Sequence, residues 1–446
     1  MSHLFYQSRL ARPTLHRAEG IYLWDTDGKR YLDGSSGAMV SNIGHSNPRV
    51  LAAMREQMER STFGYRLHFQ NQPAEDLAAM TAALMPDGLD RVFFVSGGSE
   101  AVESAVKLAR QYALTQGRAA AWKVISRFPS YHGSTLGALA LTGMDSFTGP
   151  FAPMMRQMPA IPAPTCYLDR DNLSDDDRGL KYAEMLRDRI IAEGPDTVLA
   201  FIMEPVGGAS TGALVAPDSY YTRIREICDE FGILLIYDEV MTGAGRTGRF
   251  VASQHWGVIP DIVAMSKGFA AGYVPLGAMV AQGHVVDAVL DAGGFLHGHT
   301  YAGNPLACAA GAAVLRELQD QDLTGNAERM GAILQDRLRG LMDIYPFIGD
   351  VRGLGLLQAF ELVSDRSTME TLPVDLNAHL RLVDLAYERG LIIYSRRTRG
   401  GTHGDHFMVC PPLIVTEAQI DEIMDLLRDS LDTFAAEVGL PVMQAA

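Results

Sequence analysis

The stretch DIVAMSKGFAAGYVPLGAMV, residues 261–280, decides the fold. Within it, DIVAM (261–265) and LGAMVA (276–281) are short, nearly continuous apolar runs bounded by Asp, Gly or Pro. Runs of that length without a polar face are the pattern of strands buried on both sides. Outward along the chain, RVFFV (91–95), WKVIS (122–126), TVLAFIM (197–203) and ILLIY (233–237) repeat the pattern. Residues 99–115, 218–231 and 304–320 instead carry helical periodicity. Strands alternating with helices predict an α/β fold, a mostly parallel sheet with helices on both faces and ligands beyond the carboxyl ends of its strands.

The two ends of the chain differ from this middle. GIYLWDTDGKRYLDGSSG (20–37) alternates apolar and polar residues around Asp27-Gly28, a turn signal, and predicts an antiparallel hairpin. From about residue 325, amphipathic helices (324–343, 378–389, 417–436) mix with strands near 354–362, 391–395 and 406–410. The expectation is one small α+β domain built from both termini, residues 1–50 and 326–446, beside a large domain over 51–325.

Composition narrows the function. With 38 basic and 53 acidic residues the net charge is -15, which argues against a nucleic-acid partner, because phosphate binding needs clustered Lys and Arg. Cys166, Cys228, Cys308 and Cys410 lie far apart, with no CxxC pair and no His at zinc spacing, so neither a metal nor a disulfide framework is expected. No run reaches the roughly 18 apolar residues of a membrane span, and MSHLFYQSRLARPTLHR is too polar for a signal peptide. A cytoplasmic protein without a membrane partner is expected.

Three segments carry chemistry. Lys267 follows a strand end, where ligands collect, although a lysine there is by itself more often a solvated surface residue. In ILLIYDEVMTGAGRTGRF (233–250), Asp238 and Glu239 end an apolar strand, where an unpaired carboxylate is costly. Asp238 therefore asks for a cation, and a pyridinium nitrogen is one: the carboxylate keeps the ring protonated and able to accept electrons. For Glu239 a cap or loop carboxylate is a reasonable reading. In VFFVSGGSEAVESAVKLARQY (92–112), Gly97, Gly98 and Ser99 join a strand to a helix whose free N–H groups attract phosphate, the dipole adding about 0.3–1 kcal/mol. Capping by Ser99 with Glu103 explains the same residues. Two further patterns are set aside. Gly243, Gly245 and Gly248 spell GxGxxG, but away from their strand and with no helix after them. Asp25 and Asp27 hint at a calcium loop in which Lys29 would hold a ligand position.

Taken together, SGGSEA (96–101), SYHGST (130–135), MEPV (203–206), YDEV (237–240), SKG (266–268) and GHTYAGNP (298–305) resemble the ordered motif set of class III pyridoxal-phosphate (PLP) aminotransferases. The resemblance extends to the N-terminal hairpin and to PPLIVTEAQID (411–421). It implies PLP fold type I, a homodimer or dimer of dimers, and active sites at the subunit interface. By position, Lys267 resembles the Schiff-base lysine and proton shuttle, and Asp238 the partner of the pyridine nitrogen. Gly98 and Ser99 resemble phosphate ligands, Tyr131 and Val240 the residues on the two ring faces, and Thr300 the phosphate ligand given by the partner subunit. His132 and Glu204 fall on motif positions of the cofactor site.

The chain also departs from part of that family. Members acting on α-amino acids carry a carboxylate-binding arginine where Met408 stands and a glutamate where Ala209 stands. Their joint loss points to the ω-aminotransferases, which place a mobile arginine on an upstream loop. SRRTRGGTHGD (395–405) is expected to be that loop, with Arg397 leading Arg396, Arg399 and His403 as the group for the acceptor carboxylate. Met39 is expected in the substrate pocket with Tyr131, and Phe5, Tyr6, Tyr65 and Phe69 at its entrance. The implied function is a transaminase moving an amino group from an amine or ω-amino acid to pyruvate or 2-oxoglutarate in two half-reactions. An aminomutase or decarboxylase of the same fold is the alternative; a non-catalytic PLP-binding protein would be expected to lose Lys267.

Overall fold

The computed structural model describes residues 3–443. Its central sheet has seven strands in the spatial order Leu89–Val95, Gly277–Gln282, Ile262–Met265, Leu234–Asp238, Val198–Met203, Lys123–Phe128 and Ala160–Pro162. Gly277–Gln282 runs antiparallel to both neighbours and every other pairing is parallel. The remaining strands therefore deliver their carboxyl ends to one edge. Ala160–Pro162 is the strand that apolar patterning does not announce; it is short, and its position at the sheet edge tolerates Pro162.

The continuous apolar runs are explained by what each face meets. Ala200, Ile202, Leu234 and Ile236 join the cluster under the helix Gly98–Thr115. Phe201, Met203, Leu235 and Tyr237, their immediate neighbours, join the opposite cluster with the helices Asp175–Glu193 and Asp218–Phe231. Successive side chains point to opposite faces, so a strand covered on both sides must be apolar at every position. No helix among the described residues is long and apolar enough to cross a membrane.

The N-terminal hairpin forms as Tyr22–Asp25 against Arg30–Asp33, preceded by a further strand, Leu15–Glu19. Leu391–Ile392 adds to it in parallel, pairing with Leu32 and Asp33, so one sheet draws on both ends of the chain. The apolar run at 391–395 is thus split. Its second part continues as Tyr394–Arg399 in a different sheet, of order Ile348–Leu354, Leu357–Leu362, His403–Val409, Tyr394–Arg399.

That arrangement corrects the expected loop at 395–405. Tyr394–Arg399 and His403–Val409 are antiparallel strands joined by a short turn in which Gly400 and Gly401 take φ of 65° and 80°, a region that suits glycine. The arginine cluster reads as a solvated loop, yet long side chains lay their apolar stems along a sheet while their heads reach polar groups, which hides the strand pattern.

Arg246, in the loop after Asp238, is 0% exposed. Its guanidinium donates to Leu356 O (3.2 Å), Pro411 O (2.5 Å), Ser36 Oγ (3.0 Å) and Asn42 Oδ1 (2.7 Å). One side chain thereby joins N-terminal and C-terminal segments behind the central sheet. Arg246→Met would leave several buried acceptors unpaired and should cost about 3 kcal/mol or more in urea unfolding of the apo-protein. A change within about 0.5 kcal/mol would show that the junction closes without it.

Candidate active site

Parallel strands converge on a cleft at their carboxyl edge. Leu89–Val95 leads to Gly98 and Ser99, Lys123–Phe128 to Tyr131 and His132, Val198–Met203 to Glu204, and Ile262–Met265 to Lys267, while Asp238 ends Leu234–Asp238; all line the cleft, as does Val240.

Asp238 is 5% exposed. Its Oδ1 accepts from the Val240 N–H (3.1 Å) and its Oδ2 lies 2.8 Å from His132 Nδ1. An ionised carboxylate only accepts, so Nδ1 carries the proton and donates. His132 Nε2 is left buried with no partner among the described residues. The ring is held from behind by its backbone N–H, which donates to Thr142 Oγ1 at 3.0 Å.

Lys267 has φ of 48°, an uncommon conformation for a non-glycine residue and a form of strain that tends to collect at functional sites. Burial lowers the proton affinity of its amine, against the pull of Asp238 and Glu204. Glu204 is itself pushed above the usual carboxyl range by burial. Its Oε2 accepts from the Tyr131 N–H (3.2 Å) and Ser210 Oγ (3.4 Å), and its Oε1 from the Gly208 N–H (2.9 Å). Glu204 thus ties the Tyr131 segment to the turn at 207–211. Glu239 is a structural carboxylate: wholly buried, it accepts from the backbone N–H groups of Ala252 and Ser253 and from Thr242 Oγ1, and burial raises it to about 7.

The helix Gly98–Thr115 starts without a side-chain cap. Ser99 Oγ accepts from the Ser134 N–H (3.0 Å), and Glu103 is engaged by Thr135 Oγ1 (2.7 Å) and the Ala138 N–H (3.2 Å). Capping by Ser99 with Glu103 therefore does not account for this helix start, and its N–H groups and dipole face the cleft unblocked. A Cβ on Gly98 would stand 2.9 Å from Val240 Cγ1, so only glycine fits there. Gly133, not singled out from the sequence, has φ of +141° and would place a Cβ 2.6 Å from Ser99 Oγ. Its signal was present inside the SYHGST motif.

Other expected residues are not brought to this cleft. Met39 is 1% exposed and packs with Val206, Leu357, Met408 and Cys410 in an apolar cluster behind Ala209 and Met241 of the cleft wall, without lining the cleft itself; in the sequence its position near the motifs could not reveal that it faces a core. Arg397 donates to Val374 O (2.6 Å), Thr402 O (3.3 Å) and Asn377 Oδ1 (3.2 Å) and lies 3.5 Å from Asp405, on the strand face away from the cleft. Arg399 and His403 line a different cavity, with Tyr167 and Thr211. Arg396 is the one on the cleft side: its guanidinium packs on the rings of Tyr394 (4.7 Å) and Phe147 (6.0 Å), and Phe147 meets Tyr131 edge-on at 5.9 Å. Phe5, Tyr6 and Phe69 are exposed, and none of them nor Tyr65 lines the cleft of a single subunit. Thr300 is exposed on the segment following Gly298, outside its own cleft.

A lysine and a buried carboxylate in one cleft, an uncapped helix start beside a glycine that leaves backbone exposed, and an aromatic wall fit pyridoxal phosphate, so the fold and the site define a PLP-dependent enzyme. The family model described as aminotransferase class-III matches residues 6–431. The chain is 35% identical to the putrescine–pyruvate aminotransferase of Pseudomonas aeruginosa, over 95% of this chain and 91% of that one. It is likewise 35% identical to the taurine–pyruvate aminotransferase of Bilophila wadsworthia, over 98% and 96%. The crystal structure of an amine transaminase from an uncultivated Pseudomonas species, in a PLP-bound form, superposes with a TM-score of 0.91 at 34% identity, covering 97% of this chain and 99% of that one. The protein belongs to the class III aminotransferases, and it is a PLP-dependent transaminase.

Asp238→Asn should keep the fold while slowing turnover by about two to four decades, since breaking one side of a buried charge pair costs roughly 3–5 kcal/mol. Near-normal steady-state rates in that variant would mean that another group serves the ring nitrogen.

Proposed function

We propose that the protein moves the amino group of an amine or ω-amino acid, in preference to an α-amino acid, onto pyruvate. One observation carries this reading: no arginine lines the cleft among the described residues. Ala209 stands in its wall, and Met408 is buried among apolar residues. The cleft wall itself offers no guanidinium to an α-carboxylate. Two relatives named above pair pyruvate with donors, putrescine and taurine, that carry no carboxylate at all.

When bound, PLP supplies a protonated, electron-withdrawing ring conjugated to the reacting amine. Asp238 holds the proton on the ring nitrogen, and His132, donating to its other oxygen, keeps the carboxylate oriented. Gly98 and Ser99 take the phosphate at the helix start. Tyr131 and Val240 hold the ring plane, and Glu204 positions Tyr131 through the backbone. Lys267 would hold the cofactor and, once released from it, would move the proton at the substrate carbon, a task suited to an amine with lowered proton affinity.

The acceptor still brings a carboxylate, and Arg396 is the group we assign to it. No carboxylate among the described residues pairs with its guanidinium, which rests on Tyr394 and Phe147 beside Tyr131. A panel of diamines, ω-amino acids and α-amino acids assayed with pyruvate and 2-oxoglutarate tests the assignment. Diamines and ω-amino acids should be the better donors, and Arg396→Met should raise the acceptor KM by about 10- to 100-fold, as loss of a charge-assisted contact implies, with little effect on an uncharged amine donor. Equal use of α-amino acids other than alanine, which the pyruvate half-reaction itself returns, would overturn the donor reading, and an unchanged acceptor KM would release Arg396.

The assembly proposed is a cytoplasmic homodimer or dimer of dimers in which Thr300 reaches the phosphate of the partner's site. Exposure of Thr300 outside its own cleft supports this. Pairing of Leu391–Ile392 with Leu32–Asp33 likewise supports a small domain made from residues 1–50 and 326–446, beside 51–325. Mixing inactive Lys267→Ala protein with inactive Thr300→Ala protein should return partial activity, because some mixed dimers hold one intact site. If a label shows that subunits exchange and no activity returns, the shared site is rejected.

A further inference from the structure

The segment that presents Thr300 is pinned to one face of the helix Gly98–Thr115. Ser104, Lys107 and Gln111 are spaced by three and four residues and so share that face. Gln111 closes on the backbone of the segment from both sides, its Nε2 donating to Gly294 O (3.1 Å) and its Oε1 accepting from the Leu296 N–H (2.7 Å). His297 is held between the other two, with Ser104 Oγ 2.9 Å from Nε2 and Lys107 Nζ 3.0 Å from Nδ1.

The donors and acceptors settle which tautomer this is. The Lys107 ammonium only donates, so Nδ1 accepts. Ser104 spends its hydroxyl proton on Glu100 O (2.7 Å), so its oxygen accepts from the Nε2–H. The imidazole is therefore neutral and fully paired. Phe93, Phe295 and His299 pack around it at 5.8, 5.2 and 4.8 Å between ring centroids, and Arg66 donates to its backbone carbonyl at 3.3 Å. Thr300 follows three residues later.

We propose that His297 is a positioning residue for cofactor retention in the neighbouring subunit: it fixes the Thr300 segment to the helix whose first turn, at Gly98 and Ser99, faces its own subunit's cleft. One rigid helix then serves two sites, its N-terminus in its own subunit and its side face, through His297, in the other. The inference rests on the reading of Thr300 as a residue of the partner's site.

The charged and titratable groups around the ring are Lys107 and Glu103 from the helix, His299 from the same segment, and Arg66 from the segment before Leu67. Burial, then Lys107, lowers the imidazole to about 4. A pKa below that of the unfolded chain, about 6.5, means that the pinned form is favoured fully above 6.5 and progressively lost as pH falls from there toward 4.

The test is the rate of PLP release from diluted holoenzyme at neutral pH, in a double-mutant cycle. His297→Ala should release PLP about tenfold faster, as loss of a hydrogen bond to a charged partner implies, and His297→Gln, whose amide can accept from Lys107 and donate to Ser104, should restore most of the retention. Adding His297→Ala to Thr300→Ala should accelerate release little further, because His297 acts through Thr300. A purely structural histidine would instead give additive effects, and that outcome overturns the proposal. Wild-type release from His297→Ala also overturns it, provided Thr300→Ala is leaky; if Thr300→Ala is itself unaffected, the shared-site reading falls first and takes this one with it.

Discussion

The carboxylate of Asp238 is the constraint around which the rest is arranged. It ends a strand that is apolar on both faces, where an ionised group without a partner would be expelled or neutralised. The protein meets this with His132, brought from 106 residues earlier in the chain, and with the backbone N–H of Val240. Only the parallel order of the sheet sets the ends of Lys123–Phe128, Val198–Met203 and Leu234–Asp238 side by side. Glu239, one residue on, shows the other solution, with its charge spread over two backbone donors and a hydroxyl and its pKa raised to about 7.

The same economy recurs behind the cleft, where buried polar side chains work as joints. Glu204 links Tyr131 to the turn that carries Ala209, so one buried carboxylate joins the two walls of the cleft. Arg246 gathers four acceptors from three distant segments, and Ser36, one of them, donates its hydroxyl hydrogen bond to Cys410 O at 2.7 Å. Each joint satisfies backbone groups that a loop-rich interior would otherwise leave unpaired.

Near the cleft the two sheets with C-terminal strands make a different contribution. The hairpin Tyr394–Val409 turns alternate side chains to opposite sides, so neighbouring arginines have unrelated fates. Arg396 lies on aromatic rings next to Tyr131, while Arg397 is consumed by backbone carbonyls and Asp405. On the proposed assignment of Arg396 to the acceptor carboxylate, selectivity depends on strand parity, because a shift of one residue would exchange the two positions.

By itself the sequence determined the sheet strands, the helices that cover them and the group of residues at the strand ends. Apolar runs such as Val198–Met203 report burial on both faces directly, and Gly98, Ser99, Tyr131, Glu204, Asp238 and Lys267 each adjoin such a run, so strand ends and chemistry are read from the same letters. Tertiary structure alone decided where side chains point once long-range pairing enters. Met39 faces an apolar cluster behind the cleft wall, and the 391–395 run divides between two sheets because its first part pairs with Leu32, near the other end of the chain, and its second with Met408 across a hairpin. Arg246 sits inside the glycine-rich run 243–248, where nothing local distinguishes an arginine bound for solvent from one whose every partner comes from another segment.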